Sequence, residues 1–333
     1  MKRYRITIDT GTTNTRTVLW DTNGKMLQEE KCPIGVKITA QEGSNRELKA
    51  AVKKCLDALL LKQGITYEDI LYIVASGMIT SNLGLIEVPH LTAPAGIKEL
   101  AEGVYEKKLP DVAPVPISFI PGVKNNVSGK KIEALCHMDI MRGEETESIA
   151  VLEGLKEKPA LLIMPGSHTK FIFTDERKRI IRCWTSMTGE LLSFLILYSI
   201  TSDAAGRQFI SEETYDYSLI RFGCQEAGKE GFGRAAFGAR IMNQFFIKEK
   251  AKVANYLTGI ALESDMKVIK NIINSDFQKP EQIIITGETI MGQALYDLII
   301  EAGIFSGVKR YKPSGEMTLS AHGAFSIMEK RYT

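Results

Sequence analysis

Several kinds of residue are scarce in this chain, and each scarcity removes a class of chemistry. Only five of the 333 residues are cysteine and four are histidine. Cys32, Cys55, Cys136, Cys183 and Cys224 are widely scattered and form no Cys-X-X-Cys pair. That argues for reduced thiols, against a disulfide framework. His90, His137, His168 and His322 lack zinc-ligand spacing. The longest apolar run, Leu191 to Ile200, is broken by Ser and Tyr and is too short to cross a bilayer. The opening Met-Lys-Arg-Tyr-Arg runs straight into a strand pattern, without the look of a signal peptide. A net charge of +2 gives no electrostatic reason to bind nucleic acid or a membrane surface. The expectation is a cytoplasmic protein whose partners are small molecules, with no nucleic acid and no membrane. A homodimer is left open.

What is present is ordinary globular material, 44% hydrophobic and 25% charged, in a length that suggests two domains. The most informative stretch is Ile6 to Asp21, which reads as strand, tight turn, strand. Strands are expected near 4–9, 15–22 and 25–32, with Asp21-Thr22-Asn23-Gly24 as the second turn. The first strand ends in Asp9. The turn after it carries Gly11, Thr12 and Thr13, which can offer close backbone approach, N–H groups and hydroxyls to phosphate oxygens. Asp9 could hold a magnesium ion beside them through water.

A helix is predicted over about 45–62, with capping-box spacing at Ser44 and Glu47 and a stripe of Leu48, Val52, Cys55, Leu56, Leu59 and Leu60. Ile70 to Ala75 reads as a buried strand followed by the polar loop from Ser76 to Asn82, where an α/β protein usually binds ligand. Proline-rich 110–121 marks the passage between domains, expected as 1–115 and 116–333. A second strand–turn–strand unit follows: strands Ala160–Met164 and Lys170–Phe173 flank Pro165-Gly166-Ser167-His168-Thr169, and a third lies near 179–184. The remainder reads as helices near 189–199, 211–222, 231–244, 248–265, 289–302 and 317–329, with one strand at Gln282–Thr286.

Gly143-Glu144-Glu145-Thr146-Glu147 puts carboxylates at a helix start. The helix dipole favours negative charge there whatever the function. The functional reading is a general base that takes a proton from a substrate hydroxyl during phosphoryl transfer, with Arg142 able to bind a carboxylate or phosphate. Gly223 to Glu230 nearly matches a P-loop but puts Glu230 in place of the magnesium-binding Ser/Thr and has no strand before it, so it reads as a helix end and loop. Cys136-His137 reads as part of a buried strand, and Trp20 and Trp184 as packing.

In this order, Asp9 to Arg16, Ser76 to Gly84, Val88 to Leu91, Ile120-Pro121-Gly122, Met141 to Glu147, Met164 to Lys170 and Met187 to Leu191 resemble the 2-dehydro-3-deoxygalactonokinase family of sugar-acid kinases. Tyr256 to Gly259 and the tail from Gly315-Glu316 to Gly323-Ala324 fit more loosely. The resemblance implies a two-domain α/β actin-like ATPase (ribonuclease H-like) fold, each domain a mixed sheet with flanking helices, and an active-site cleft between domains. It implies ATP and Mg2+ as cofactors and phosphorylation of 2-dehydro-3-deoxy-D-galactonate at its terminal hydroxyl to the 6-phosphate. A kinase for another small sugar acid or polyol, or a non-catalytic nucleotide-binding sugar sensor, are the alternatives. By the resemblance Asp9 is the magnesium-linked carboxylate, and Gly11, Thr12, Thr13 and Gly166, Ser167, Thr169 are two phosphate loops. Gly287, Glu288 and Thr289 fall at the adenosine, and Ser76, Asn82 and Arg142 at the sugar acid. Glu144 stands as the base, with Glu145 in reserve. Thr10, Thr15, Glu288 and Glu316 depart from the family's usual residues.

Overall fold

Ile6 and Ile8 lie on one face of the first strand and Thr7 on the other, and all three are buried. A strand covered on both faces sits inside a sheet with helices on either side. The computed structural model describes residues 3–129, 131–273, 280–305, 307–312 and 318–333. In it this strand is β1 (Tyr4–Thr10), paired antiparallel with β2 (Thr15–Trp20), which pairs antiparallel with β3 (Met26–Cys32). This is the meander the sequence predicts. On its other side β1 is joined in parallel by β4 (Ile70–Gly77), so that Asp9 stands opposite Ser76.

One face of the sheet is packed by α2 (Arg46–Gln63), which follows the short α1 (Lys37–Glu42). Leu48, Val52, Leu56 and Leu59 are fully buried against Ile6, Ile8 and Leu19, as the stripe requires. The capping box is not formed. Asn45 is the cap residue, its amide donates to the Gly84 carbonyl, and Ser44 Oγ accepts only from the Arg46 N–H. The opposite face is covered by the C-terminal helix, Leu319–Tyr332, where Trp20 meets Phe325 at 4.9 Å between ring centroids. Further strands β5 (Leu91–Thr92), β6 (Tyr105–Lys107), β7 (Ile117–Phe119), β8 (Val123–Lys124) and β9 (Ile140–Met141) complete a six-stranded sheet, β3-β2-β1-β4-β7-β6, and a three-stranded one, β5-β8-β9. Helices α3 (Ile97–Gly103) and α4 (Glu144–Glu153) lie among them. The C-terminal helix rests directly on α4. A Cβ on Gly323 would come within 1.8 Å of the Thr146 carbonyl.

These elements form one compact unit, 1–158 with 174–183 and 313–333. The expected division at 115/116 is not where the contacts divide. Residues 116–158 belong with the first unit because β7 pairs in parallel with β4 and β8 with β5. The second unit, 159–173 with 184–312, is built on the sheet β12-β11-β10-β13-β14. Its strands are β10 (Ala160–Met164), β11 (Thr169–Thr174), β12 (Ile180–Ser186), β13 (Gln282–Ile285) and β14 (Val308–Arg310), with β10, β13 and β14 parallel. Helices α5 (Thr188–Ser193), α6 (Tyr217–Glu230), α7 (Phe232–Phe245), α8 (Lys250–Ile273) and α9 (Ile290–Ala302) pack on it around Phe171, Leu257, Ile260 and Leu295.

Three expectations are corrected here. The helix expected from 211 begins at Tyr217, because the Asp216 side chain accepts from the Ser218 and Leu219 N–H groups. The near P-loop string lies inside α6, not in a loop, and Gly223 is there so that α6 can touch the backbone of Tyr256 on α8. Cys136-His137 belongs to an exposed 3-10 turn, Ile132–His137, not to a buried strand. Gly315 and Glu316 lie outside the described residues.

Candidate active site

In the first unit the candidate site is assembled at the carboxyl ends of β1 and β4. After Asp9 the chain turns through exposed Gly11, Thr12, Thr13 and Asn14. The Gly11 N–H donates to the Asn14 carbonyl at 2.9 Å, and the Val36 and Lys37 N–H groups donate to the Gly11 and Thr12 carbonyls. The turn is therefore held by backbone on its inner side, while Thr12 and Thr13 are exposed and the Thr13 hydroxyl accepts from the Asn14 amide at 3.0 Å. Thr10 and Thr15 are fully buried and bond to each other, Oγ1 to Oγ1, at 3.1 Å. They close the hairpin below the exposed Thr12 and Thr13. A cavity of about 580 Å³ runs along this hairpin, lined by Asp9, Gly11, Thr13 and Arg16 among others.

Asp9 accepts a 3.0 Å hydrogen bond from Ser320 Oγ at the start of the C-terminal helix. Burial raises its pKa above the ordinary carboxylate value, the Glu144 charge adds to the rise, and Ser320 and Arg16 oppose it. Gly77, at the end of β4, closes over it. A Cβ there would stand 2.8 Å from the Thr10 carbonyl oxygen and 2.9 Å from Asp9 Oδ1. Gly143, before α4, lies against Gly77 in turn, its would-be Cβ 3.3 Å from Gly77 Cα. Two glycines, at φ +82 and +112, thus bring the amino end of α4 up to Asp9.

The adjacent glutamates of α4 have different surroundings. Glu145 is fully buried and both its oxygens accept from the Gly143 N–H, at 2.9 and 2.8 Å. Burial and the Glu144 charge push its pKa up to about 8, so it carries a proton at neutral pH. Glu147 is pushed up to about 8 by burial and by its acidic neighbours Asp9, Glu144 and Glu145. Glu144 is partly exposed and accepts one bond, from the Arg142 N–H at 3.0 Å. Of the pair, only Glu144 is accessible to solvent, and only one of its oxygens accepts a bond among the described residues.

The remaining sugar-acid candidates are placed differently from one another. Arg142 is spent on the protein: its guanidinium donates to the Thr80 carbonyl at 2.7 Å, to Thr80 Oγ1 at 2.5 Å and to the Val88 carbonyl at 2.8 Å, and it contacts the His90 ring. It braces the 78–90 loop. Asn82 is exposed at the tip of that loop. Ser76 is fully buried beside Asp9, and its hydroxyl has no hydrogen-bond partner among the described residues. A buried hydroxyl left unpaired is costly, and a polar ligand would satisfy it.

Asp9 offers the hard oxygen that magnesium prefers. Among the described residues no group of three or more metal-ligating side chains stands together. Magnesium is commonly held by one or two carboxylates with water and phosphate oxygens, so a single carboxylate beside an exposed Gly-Thr-Thr turn fits it.

In the second unit the 165–169 turn leaves the carboxyl end of β10, and the 286–289 turn leaves that of the adjacent parallel strand β13. Pro165 Cγ would lie 3.7 Å from a Cβ on Gly292, in the first turn of α9. Ser167 and His168 are exposed, with His168 Nε2 paired to Glu190 at 3.0 Å. Thr169, by contrast, is fully buried and its hydroxyl donates to Asp265 at 2.9 Å. Gly287 takes φ +83 and Glu288 is exposed, while the Thr289 hydroxyl caps α9 by accepting from the Gly292 N–H. Sequence reasoning assigned no role to Ser320 or Asp265, whose partners Asp9 and Thr169 are remote in the chain.

Together these features define an α/β protein of the actin-like ATPase (ribonuclease H-like) fold, with a mixed sheet in each unit. A solved structure from Sinorhizobium meliloti, provisionally described as a 2-dehydro-3-deoxygalactonokinase, has this fold at a TM-score of 0.75 and 20% identity, covering 98% of this chain and 97% of that one. A curated Rhizobium meliloti protein named "Probable 2-dehydro-3-deoxygalactonokinase" is 28% identical over 202 residues, 60% of this chain and 59% of its own. The 2-dehydro-3-deoxygalactonokinase of Escherichia coli is 28% identical over 209 residues, 60% of this chain and 62% of its own. The chain therefore spans about three-fifths of the length of these curated relatives. The sequence profile of the 2-keto-3-deoxy-galactonokinase family matches residues 9–310, and the chain belongs to that family.

Proposed function

We propose that this protein is an ATP-dependent kinase that transfers the γ-phosphoryl group to the terminal hydroxyl of 2-dehydro-3-deoxy-D-galactonate, giving the 6-phosphate and ADP. One observation carries the reading. In a chain of this family, the Gly77–Gly143 contact brings the partly exposed Glu144 up to Asp9 and the unpaired Ser76 hydroxyl. A carboxylate with a free edge is what a general base requires.

The attacking hydroxyl oxygen bonds to the γ-phosphorus, the bond to the β-phosphate oxygen breaks, and Glu144 takes the hydroxyl proton. Glu145, already protonated, keeps the start of α4 in place. Asp9 is the carboxylate that would hold Mg2+, which when bound neutralises phosphate charge. The exposed Gly11-Thr12-Thr13 turn and the Gly166-Ser167 turn, half-buried at Gly166 and exposed at Ser167, each suit phosphate oxygens. The amino end of α9, beside Pro165, adds a favourable dipole for an anion, with Gly287, Glu288 and Thr289 as the adenosine side. Ser76 and Asn82 are the sugar-acid contacts in this reading, and Arg142 supports the loop that carries Asn82.

The test is a panel of small sugar acids and polyols assayed for acceptor-dependent ADP release with magnesium and ATP. The expected result is highest kcat/KM for 2-dehydro-3-deoxygalactonate. Preference for another acceptor would retain the kinase and refute the substrate. ATP binding without release of ADP for any acceptor would favour a nucleotide-dependent sensor.

A further inference from the structure

Asp265 is a fully buried carboxylate on α8, within the second unit. Its two oxygens serve two different segments. Oδ2 accepts from the Thr169 hydroxyl at 2.9 Å. Oδ1 accepts a short hydrogen bond from the Thr188 hydroxyl, whose oxygen also lies 2.6 Å from Ser186 Oγ. Thr169 ends the 165–169 turn, and Thr188 is the first residue of α5. The same two segments meet backbone to backbone. A Cβ on Gly189 would be 2.3 Å from the Gly166 carbonyl oxygen and 2.7 Å from Ser167 Cα, and the Glu190 N–H donates to the Ser167 carbonyl at 3.1 Å. Burial pushes the Asp265 pKa up to about 6, while the hydroxyls of Thr188, Thr169 and Ser186 hold it down. Near neutral pH it therefore remains largely ionised, and hydroxyl bonds to a carboxylate are roughly twice as strong as those to a neutral acceptor.

We propose that Asp265 is a positioning residue for nucleotide binding: through Thr169 and Thr188 it clamps the 165–169 turn to the start of α5, so that Gly166, Ser167 and His168 meet the phosphates of ATP in one fixed conformation. The proposal rests on the kinase reading above. It also changes the part played by Thr169, whose hydroxyl donates inward to Asp265. Phosphate contact at this turn then falls to Ser167 and to the backbone.

The experiment is steady-state kinetics on Asp265→Asn, Thr169→Val, Thr188→Val and the double variant Asp265→Asn with Thr169→Val, each with a thermal melt. Asparagine keeps the size of the side chain but removes the charge and one acceptor. Asp265→Asn is expected to raise KM for ATP by roughly tenfold, the effect of weakening one charge-assisted hydrogen bond. KM for the acceptor stays within about twofold of wild type, since a local turn is disturbed and not the whole fold. The double variant is expected to be little worse than Asp265→Asn, because the two changes break one shared contact. A folded Asp265→Asn with wild-type KM for ATP would overturn the proposal. So would a loss spread equally over ATP and acceptor that simply tracks the melting temperature. Should Asp265→Asn fail to fold, the two valine variants decide: unchanged KM for ATP in both overturns it. A wild-type chain that neither binds ATP nor releases ADP refutes the kinase reading and this assignment with it, whatever the variants show.

Discussion

Replacing Gly77 by alanine probes the closest approach in the candidate site. Gly77 takes φ +82 and ψ −155, a backbone region nearly reserved for glycine. Holding alanine there costs about 1–3 kcal/mol. The added methyl would stand 2.8 Å from the Thr10 carbonyl and 2.9 Å from Asp9 Oδ1, both inside normal contact. Forcing an extra carbon into a packed site costs a further ~1–3 kcal/mol. The backbone of β1 cannot move away freely, because it is hydrogen-bonded between β2 and β4. Asp9 is the softer of the two obstacles, so its side chain is expected to swing aside and loosen the Ser320 bond. Gly77→Ala should therefore lose about 2–6 kcal/mol of stability by urea unfolding. It should also lose activity beyond that, with kcat/KM for ATP down at a temperature where the variant is fully folded. An alanine variant with an unchanged unfolding midpoint and wild-type kcat/KM would refute the reasoning, since it would mean that nothing needs to pass so close to Asp9.

Three further outcomes follow from the same geometry. Glu144→Gln is expected to lower kcat by roughly 10²–10⁴-fold with little change in ATP affinity, the scale of a general base; near-wild-type turnover would remove Glu144 from that role. Arg142→Met leaves the Val88 carbonyl without its donor and takes one of two donors from the Thr80 carbonyl, which keeps the Val88 N–H, so it is expected to cost about 2 kcal/mol in denaturant unfolding. A substrate-binding arginine would instead show a raised KM for the acceptor at unchanged stability. Glu145 binds its proton more tightly in the folded chain, up to about pH 8, than the ordinary value of 4.5 it regains on unfolding. Its stabilisation is therefore complete below about pH 4.5 and is lost as pH rises towards 8. Urea unfolding across that range should show a weaker decline for Glu145→Gln than for wild type, and parallel curves would contradict the buried, protonated glutamate.

How far the sequence could be read depends on how local each signal is. The β1–β3 meander is legible because period-two alternation and the Gly11 and Asn23-Gly24 turns act within a few residues. The start of α4 is legible for the same reason, since a glycine followed by carboxylates is helix-start chemistry. The distinction between Glu144 and Glu145 is not. Both occupy the first turn of α4, and only tertiary packing buries the second and leaves the first with a free edge. Arg142 shows the same limit from the other side. Its neighbours in sequence suggest a ligand, whereas its donors reach 52 to 62 residues back to Thr80, Val88 and His90. Asp265 and Ser320 meet Thr169 and Asp9 across 96 and 311 residues, and no local pattern marks either one. The misplaced start of α6 is different, because Asp216 before Tyr217-Ser218 is an ordinary cap signal that lies in plain view of the sequence. Residues that could touch a ligand are thus announced by glycines and hydroxyls in turns. The residues that hold those turns in shape are announced by nothing nearby, and substitutions at Asp265 and Arg142 separate the two kinds most directly, because neither side chain is needed to touch a ligand for its loss to be felt at the turn it supports.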